Sequence, residues 1–543
     1  MANYIIVTGG VISGLGKGIT TASIGKILQL HGYKVTAIKI DPYINCDAGT
    51  LRPTEHGEVW VTEDGGEIDQ DLGHYERFLD IDIPKCQNIT TGQVYGAVIE
   101  KERQGKYLGK TVQPIPHVTD EIKQRIRRPA QESKYDFVMV EIGGTVGDYE
   151  NVLFLEAVRQ MKLEGEKIIY LHVTYVPVLK PLGEAKTKPT QHSVKLLREI
   201  GIQPDFIIAR TEKPLDDVRK EKIALFCNVH GDDVISDSNI DNVYGVTLLF
   251  EEQELCKKIL RKLNLRRKEN NLKRWQNFIA KVKKLDKSKS VKIGIVGKYF
   301  DIGAYKLSDS YISVIEAVKH AAWNNNVRPQ VEWIDSKLFE KHPRKIVALD
   351  KMDGIIVPGG FGSSGIEGKI ATIKYAREHN IPYLGLCLGM QLAVVEYARN
   401  VCGLKDANTT EVDKNTSNPI IDFIPEQVKL LRDSRYGATM RLGSYPAVLT
   451  KGTLTQKLYG QNTVHERHRH RYEVNPKYVE TLEKSGLVFS GKSPDGILME
   501  FMELSNHPYF VGTQAHPEFK SRPMKPAPLF DGLIKAAKKK RNL

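Results

Sequence analysis

Tyr4-Ile5-Ile6-Val7-Thr8-Gly9-Gly10-Val11-Ile12-Ser13-Gly14-Leu15-Gly16-Lys17-Gly18 is the stretch that decides the fold. A short apolar run stops at two glycines, a glycine-rich turn follows, and a helical pattern then covers 17–31. Strand, glycine turn and helix in that order is the context of a phosphate-binding loop. Glycines let backbone N–H groups point inward, and the helix start adds the positive end of its dipole. Lys17 supplies a point charge for phosphates. The spacing is one residue longer than the strict motif, and Gly18 stands where Ser or Thr usually reaches magnesium. A purely structural glycine turn is therefore the alternative reading of this stretch.

Outward from it, 35–40, 136–142, 167–176 and 205–209 read as short, nearly continuous apolar strands separated by helical patterns. Such runs belong to parallel strands buried on both faces, and their alternation with helices predicts an α/β, doubly wound sheet. The pattern restarts at 291–296, 354–357 and 383–386, each followed by glycine and a helical stretch, so a second α/β domain is expected. It is expected to end in a loop-rich region over 463–519. The predicted division is 1–265, a basic linker at 266–290, and 291–543.

At 543 residues, 41% hydrophobic and 27% charged, each half can bury its own core. The six cysteines form no C-x-x-C pair, which argues against a zinc ribbon and for a reducing, cytoplasmic setting. No leader-like segment and no apolar run near 18 residues is present, so no membrane association is expected. The net charge of +13 invites a nucleic-acid reading. Its location argues otherwise: 257–290 holds fourteen Lys and Arg against two acidic residues, with Trp275 and Phe278 its only aromatics. A solvated helical linker is the simpler reading, and no nucleic-acid partner is expected.

Acidic residues must supply any metal ligands. Asp71 and Glu141 are the candidates, the latter in a buried strand before Gly143-Gly144. A salt-bridged carboxylate is the alternative for Glu141. A second anion site is Lys186, Thr187, Lys188, Pro189, Thr190 and Gln191, where a solvated charged loop competes equally. In the second half, Gly385-Leu386-Cys387-Leu388-Gly389 lies between a strand and a helix, as a nucleophile elbow does. A helix N-terminus favours the thiolate. His516-Pro517-Glu518 offers a base and its orienting carboxylate, and Pro358-Gly359-Gly360-Phe361-Gly362 offers oxyanion donors.

With these residues in hand, the chain resembles the CTP synthase family, an amidoligase fused to a class I glutamine amidotransferase. Further motifs carry the resemblance: Lys39-Ile40-Asp41-Pro42-Tyr43-Ile44-Asn45, His56-Gly57-Glu58-Val59, Asp71-Leu72-Gly73-His74-Tyr75-Glu76-Arg77-Phe78, Val140-Glu141-Ile142-Gly143-Gly144-Thr145-Val146-Gly147-Asp148, Lys222-Ile223-Ala224-Leu225-Phe226-Cys227 and Glu466-Arg467-His468-Arg469-His470-Arg471-Tyr472-Glu473-Val474. Their wording leans toward eukaryotic members. The resemblance implies ATP-dependent amination of UTP to CTP with ammonia from glutamine. It implies that Ser13, Lys186 through Gln191 and Lys222 hold the pyrimidine nucleotide, with Asp148, Tyr149 and Glu150 beside product CTP. Gly14, Leu15, Gly16, Lys17, Gly18 and Ile19 would cradle ATP, helped by Lys39, Arg210 and Ile240. Asp71 and Glu141 would bind Mg2+. Cys387, His516 and Glu518 would form the glutaminase triad, with Gly360, Leu388, Gly389, Met390, Gln391, Glu411 and Arg471 around glutamine. His56 and Val59 would line an ammonia passage.

The resemblance further implies GTP activation, CTP feedback inhibition, homotetramers and filaments. The sequence departs from the family pattern at Tyr149, Asn151, Asn239, Ala515 and Ser363-Ser364, the last where an arginine is expected. Another amidoligase of the same design and a non-catalytic filament-forming protein are the competing readings.

Overall fold

The computed structural model describes residues 2–51, 57–179, 183–297, 301–302, 305–306, 308–360, 362, 364–423 and 440–543. The chain forms two compact units: Met1–Ala48 with Gln70–Lys281, and Gly49–Asp69 with Val282–Leu543.

The first unit is built on seven parallel strands in the order Val234–Ser238, Phe206–Thr211, Ile168–Tyr175, Asn3–Gly9, Phe137–Ile142, Val35–Asp41, Asn88–Thr90. The apolar runs are buried, as helices on both faces demand; Ile5, Ile6, Val138 and Val140 are fully enclosed. Asn3–Gly9 lies in the middle, and the chain winds outward from it in both directions. Its C-terminal end is therefore the switch point, where open α/β sheets bind ligands. The helices used below are α1 (Lys17–Leu30), α2 (Asp71–Leu79) and α3 (Lys188–Glu199).

The basic stretch departs from the expected solvated linker. Its helix, Leu272–Lys283, buries Leu272, Trp275, Phe278 and Ile279 at helical spacing. The Trp275 indole donates to Tyr244 O at 3.1 Å, and the Lys26 ammonium lies 5.0 Å over its ring. The two aromatics noted in the sequence are the anchors of a docked helix whose charges face outward.

The second unit has a nine-stranded sheet: Arg328–Asp335, Ser290–Gly297, Gly354–Val357, Tyr383–Leu386, Phe510–Thr513, Met499–Glu503, Val488–Lys492, Arg441–Leu449, Thr463–His470. The first five strands are parallel and the remaining pairings antiparallel. The expected loop-rich region over 463–519 thus contains most of the antiparallel half. Thr463–His470 hides from sequence reading because, after Val464, the buried residues of its alternation are polar: Glu466, His468 and His470. The helix α4 (Leu388–Asn400) follows the fourth strand.

One segment breaks the linear division of the chain. Val59–Val61 and Glu67–Asp69 pair as an antiparallel hairpin that belongs to the second unit. The Arg467 guanidinium bonds to Glu63 at 2.8 Å and to Val61 O at 2.9 Å, and Arg469 bonds to Glu67 at 2.7 Å. Trp60 packs on Phe519 with centroids 4.9 Å apart.

Candidate functional site

In the first unit the phosphate-type loop connects Asn3–Gly9 to α1. Gly14 and Gly16 sit at φ 73° and 86°, conformations that side chains disfavour. Lys17 donates to Gly144 O at 2.8 Å, tying the loop to the turn after Phe137–Ile142. Burial pushes the Lys17 pKa down despite Glu141 nearby.

Strand register puts Lys39 directly beside Glu141. The Lys39 ammonium pairs with Asp71, with Glu141 at 3.1 Å and with Asp41 at 3.7 Å. The Tyr75 hydroxyl, from α2, donates to the other Glu141 oxygen. Burial raises the pKa of Glu141 and of Asp41, while at Asp71 burial is outweighed by Lys39 and the carboxyl is held below its usual range. A Cβ placed on Gly18 would run into Asp71 Oδ1. The residue missing a hydroxyl is thus the one over which a carboxylate sits, on the first turn of α1. Three carboxylates beside the glycine loop fit magnesium, which takes one or two carboxylates and completes its shell with phosphate and water.

The second anion stretch opens α3. Lys188 is its first residue and Pro189 occupies the first turn, which leaves a helix N-terminus facing out. Thr187, Thr190 and Gln191 are buried, and the Gln191 amide donates to Thr187 Oγ1 at 3.1 Å. Lys186 pairs with Glu184 at 2.6 Å. Ser193 Oγ meets His172 Nε2 at 2.6 Å, and His172 Nδ1 meets Thr8 Oγ1 at 2.9 Å, so α3 is bonded to the strand that feeds the glycine loop. Ser13 and Lys222 are exposed. Asp148, Tyr149 and Glu150 are exposed as well, Tyr149 at 98%, and Tyr149 and Glu150 line a pocket of the first unit with Pro42, Ile44, Tyr95 and Phe154. The unusual Asn151 is buried and donates to Thr145 O at 3.0 Å and Gly143 O at 3.3 Å, holding their loop. Arg210 bonds to Asp237 O at 3.2 Å, and Ile240 is 39% exposed. His56 lies outside the described residues.

In the second unit Cys387 sits between Tyr383–Leu386 and α4 at φ 49°, ψ −104°. The strained turn is possible because its flanks are small: a Cβ on Gly389 would run into Val357 O, and one on Gly385 would lie 2.7 Å from the Gly389 backbone. His516 Nδ1 bonds to Glu518 Oε1 at 2.7 Å, and its ring stacks on Phe519 at 5.3 Å. Burial disfavours the imidazolium, yet Glu518 and then Cys387 raise its pKa to about 10. The unfolded value is about 6.5. The protonated ring therefore contributes stability that is complete below about pH 6.5 and is lost as pH rises through about 10. Cys387, His516, Glu518, Gly359, Gly360 and Arg469 line one pocket, with Glu58 and Val59 of the hairpin segment.

The expected glutamine-contacting residues divide in two. Gly360 lines the pocket, the Gln391 amide donates to Tyr472 O at 2.9 Å, and Glu411 accepts from Gly362 N at 2.8 Å. Arg471 is half-buried at the turn beside Tyr472–Val474. Leu388 and Met390 have their side chains in the apolar core, and Gly389 has none, so these three offer only backbone groups. Two further polar groups stand at this site: Glu58, part of a quoted motif but without an expected role, accepts from Ser313 N at 3.0 Å, and Gln514 has its amide 3.6 Å from Cys387 Sγ. The position of Gln514 two residues before His516 was the available signal.

Residues 3–265 match the family described as CTP synthase N-terminus, and 306–536 match glutamine amidotransferase class-I. The CTP synthase of Pyrococcus abyssi is 57% identical over 541 residues, covering 99% of this chain and 98% of that protein. That of Methanocaldococcus jannaschii is 55% identical over 541 residues, covering 98% of each. That of Sulfurisphaera tokodaii is 54% identical over 539 residues, covering 99% of each. These relatives are archaeal, so the expected lean toward eukaryotic members is not borne out.

Proposed function

The chain belongs to the CTP synthase family and makes CTP from UTP, ATP and glutamine; on that premise we propose how its residues divide the work. The supporting observation is the presence in one chain of two separate sets: Lys17, Lys39, Asp71 and Glu141 beside a glycine loop, and Cys387, His516 and Glu518 in an elbow.

The O4 oxygen of UTP is a poor leaving group, and phosphorylation makes it a good one. Lys17 and the N–H groups of Gly14 through Ile19 hold the ATP phosphates, Arg210 and Ile240 its nucleoside end, and Lys39 keeps Asp71 and Glu141 in place. Magnesium held by Asp71 and Glu141 neutralises phosphate charge when bound. Ser13, Lys186 through Gln191 and Lys222 hold UTP, and CTP competes for the same triphosphate grip, with Asp148, Tyr149 and Glu150 beside its base. In the second unit the Cys387 thiolate attacks the glutamine amide carbon, forming a thioester. The His516 imidazolium gives its proton to the departing ammonia, and water then releases glutamate. Gly360, Glu411 and Arg471 position the substrate. We place the enzyme in the cytoplasm as a homotetramer able to form filaments, on its family membership. No helix among the described residues is long and apolar enough to cross a membrane. The test is the ultraviolet absorbance change of UTP on adding ATP, Mg2+ and glutamine. No change, with ammonium salts also inactive, would overturn the assignment.

Activation by GTP is inferred to be weak. The expected arginine is replaced by Ser364, which is exposed, and the nearby cations are engaged elsewhere. Lys369 is fully buried, Arg441 holds Glu473 at 3.2 Å and Glu500 at 2.7 Å, and Arg469 holds Glu67. Losing one charged hydrogen bond costs about 1–2 kcal/mol, which is on the order of 5- to 30-fold in affinity. A GTP titration of glutamine-dependent synthesis should therefore show a lower half-saturating concentration in Ser364→Arg than in the parent. Equal responses at low micromolar GTP would refute the inference.

A further inference from the structure

We propose that Gln514 is a catalytic residue of the glutaminase site, whose side-chain amide donates a hydrogen bond to the Cys387 thiolate. The proposal rests on the reading of Cys387 as nucleophile and adds a second hydrogen-bond donor to its sulfur beside the His516 imidazolium.

Gln514 follows the strand Phe510–Thr513 and is fully buried. Its backbone N donates to Glu500 O at 2.9 Å, which fixes the main chain. Its Nε2 lies 3.6 Å from Cys387 Sγ, hydrogen-bond range for sulfur. The end of a glutamine that carries the NH2 must be inferred from its partners. Here the partners decide it. Gln391 Nε2 donates to Tyr472 O at 2.9 Å, a carbonyl that can only accept, so the NH2 of Gln391 is on that side. The same NH2 lies 3.3 Å from Gln514 Oε1. Gln514 therefore turns its oxygen to Gln391 and its NH2 to the sulfur.

Besides the His516 ring, with which it interacts, the sulfur has a polar neighbour of opposite character. Cys387 Sγ is 3.8 Å from Arg469 O, to which the thiol donates its proton. Once that proton leaves, the carbonyl faces a negative sulfur and opposes it. The Gln514 N–H does the reverse: it gains strength when the sulfur becomes charged and so favours the thiolate. Because the bond is made to the reacting atom, its loss should lower kcat for glutamine hydrolysis more than it raises KM.

The experiment follows alkylation of Cys387 by iodoacetamide against pH, read on the Cys387 peptide by mass spectrometry, in the full-length parent and in Gln514→Met. Methionine keeps the length and removes the donor. The midpoint of the profile should move up by about one pH unit or more. Glutamine hydrolysis near neutral pH should fall about tenfold or more and recover as pH rises. Synthesis from added ammonium salt, which does not use the thiol, reports that the chain is folded. An unmoved midpoint in a folded Gln514→Met overturns the proposal. Should that variant fail to fold, Gln514→Leu decides: it likewise removes the donor, so its midpoint must rise as far, and an unmoved one overturns the proposal equally. If the labelled peptide in the parent does not contain Cys387, the nucleophile assignment itself has failed, which is a different result.

Discussion

Replacing Cys387 with alanine is expected to abolish CTP synthesis from glutamine while leaving synthesis from added ammonium salts intact. In the proposed mechanism the thiol sulfur bonds to the amide carbon, and neither His516 nor Glu518 can substitute for it. In hydrolases with comparable triads, loss of the nucleophile costs on the order of 10⁶-fold. The elbow that carries Cys387 is held by backbone geometry: Cys387 N donates to Thr513 O at 2.7 Å, and alanine keeps that bond. The fold of the second unit should therefore survive. The glycine loop, Lys39, Asp71 and Glu141 belong to the first unit and do not depend on the thiol. Parallel assays with glutamine and with ammonium chloride separate the two activities. Loss of both in a folded variant would mean that one chemistry cannot run without the other, and the division of labour would be wrong.

The second large effect runs the other way. Asp71→Asn and Lys17→Ala are each expected to abolish synthesis from either nitrogen source, while glutamine hydrolysis persists. Asparagine keeps the shape of Asp71 but removes the charge that Lys39 balances and the oxygen that stands over Gly18. Alanine at Lys17 removes the cation that reaches Gly144 O from the first residue of α1. Both changes precede amination, so added ammonia should not rescue them. Substantial ammonia-dependent turnover in either variant would remove these residues from the ATP site. Basal glutamate release from glutamine is the matching control.

Much of this arrangement could be read along the chain. The strand, glycine loop and helix at 4–30 are local: apolar run, glycines at positive φ and helix start are all set by neighbouring residues. The elbow at Cys387 is local in the same sense. What could not be read depends on contacts distant in sequence. Lys39, Asp71 and Glu141 come together through strand register and the start of α2, and the reason for Gly18 appears only when Asp71 is seen above it. Glu466, His468 and His470 break the apolar alternation by which a strand is recognised, because their strand buries ionisable groups; burial raises Glu466 to about 7 and drives both histidines well below their ordinary value, favouring the neutral forms. Trp275 looked like a stray aromatic in a basic linker because its seat, Tyr244 and Lys26, lies far off in the sequence.

The hairpin of 59–69 has a consequence for inheritance. Two enzymes fused end to end can exchange partners by recombination at the junction, and the natural junction here would be near Val282. The second unit is not contiguous, however: it holds residues encoded ahead of most of the first. A crossover at Val282 would deliver Arg467 without Glu63 and Val61, Arg469 without Glu67, and Phe519 without Trp60. A buried arginine such as Arg467, stripped of its carboxylate, is costly, on the order of 3–5 kcal/mol. The halves are therefore bound to descend together, and a change in the Arg467–Arg469 strand of one calls for a matching change some four hundred residues upstream.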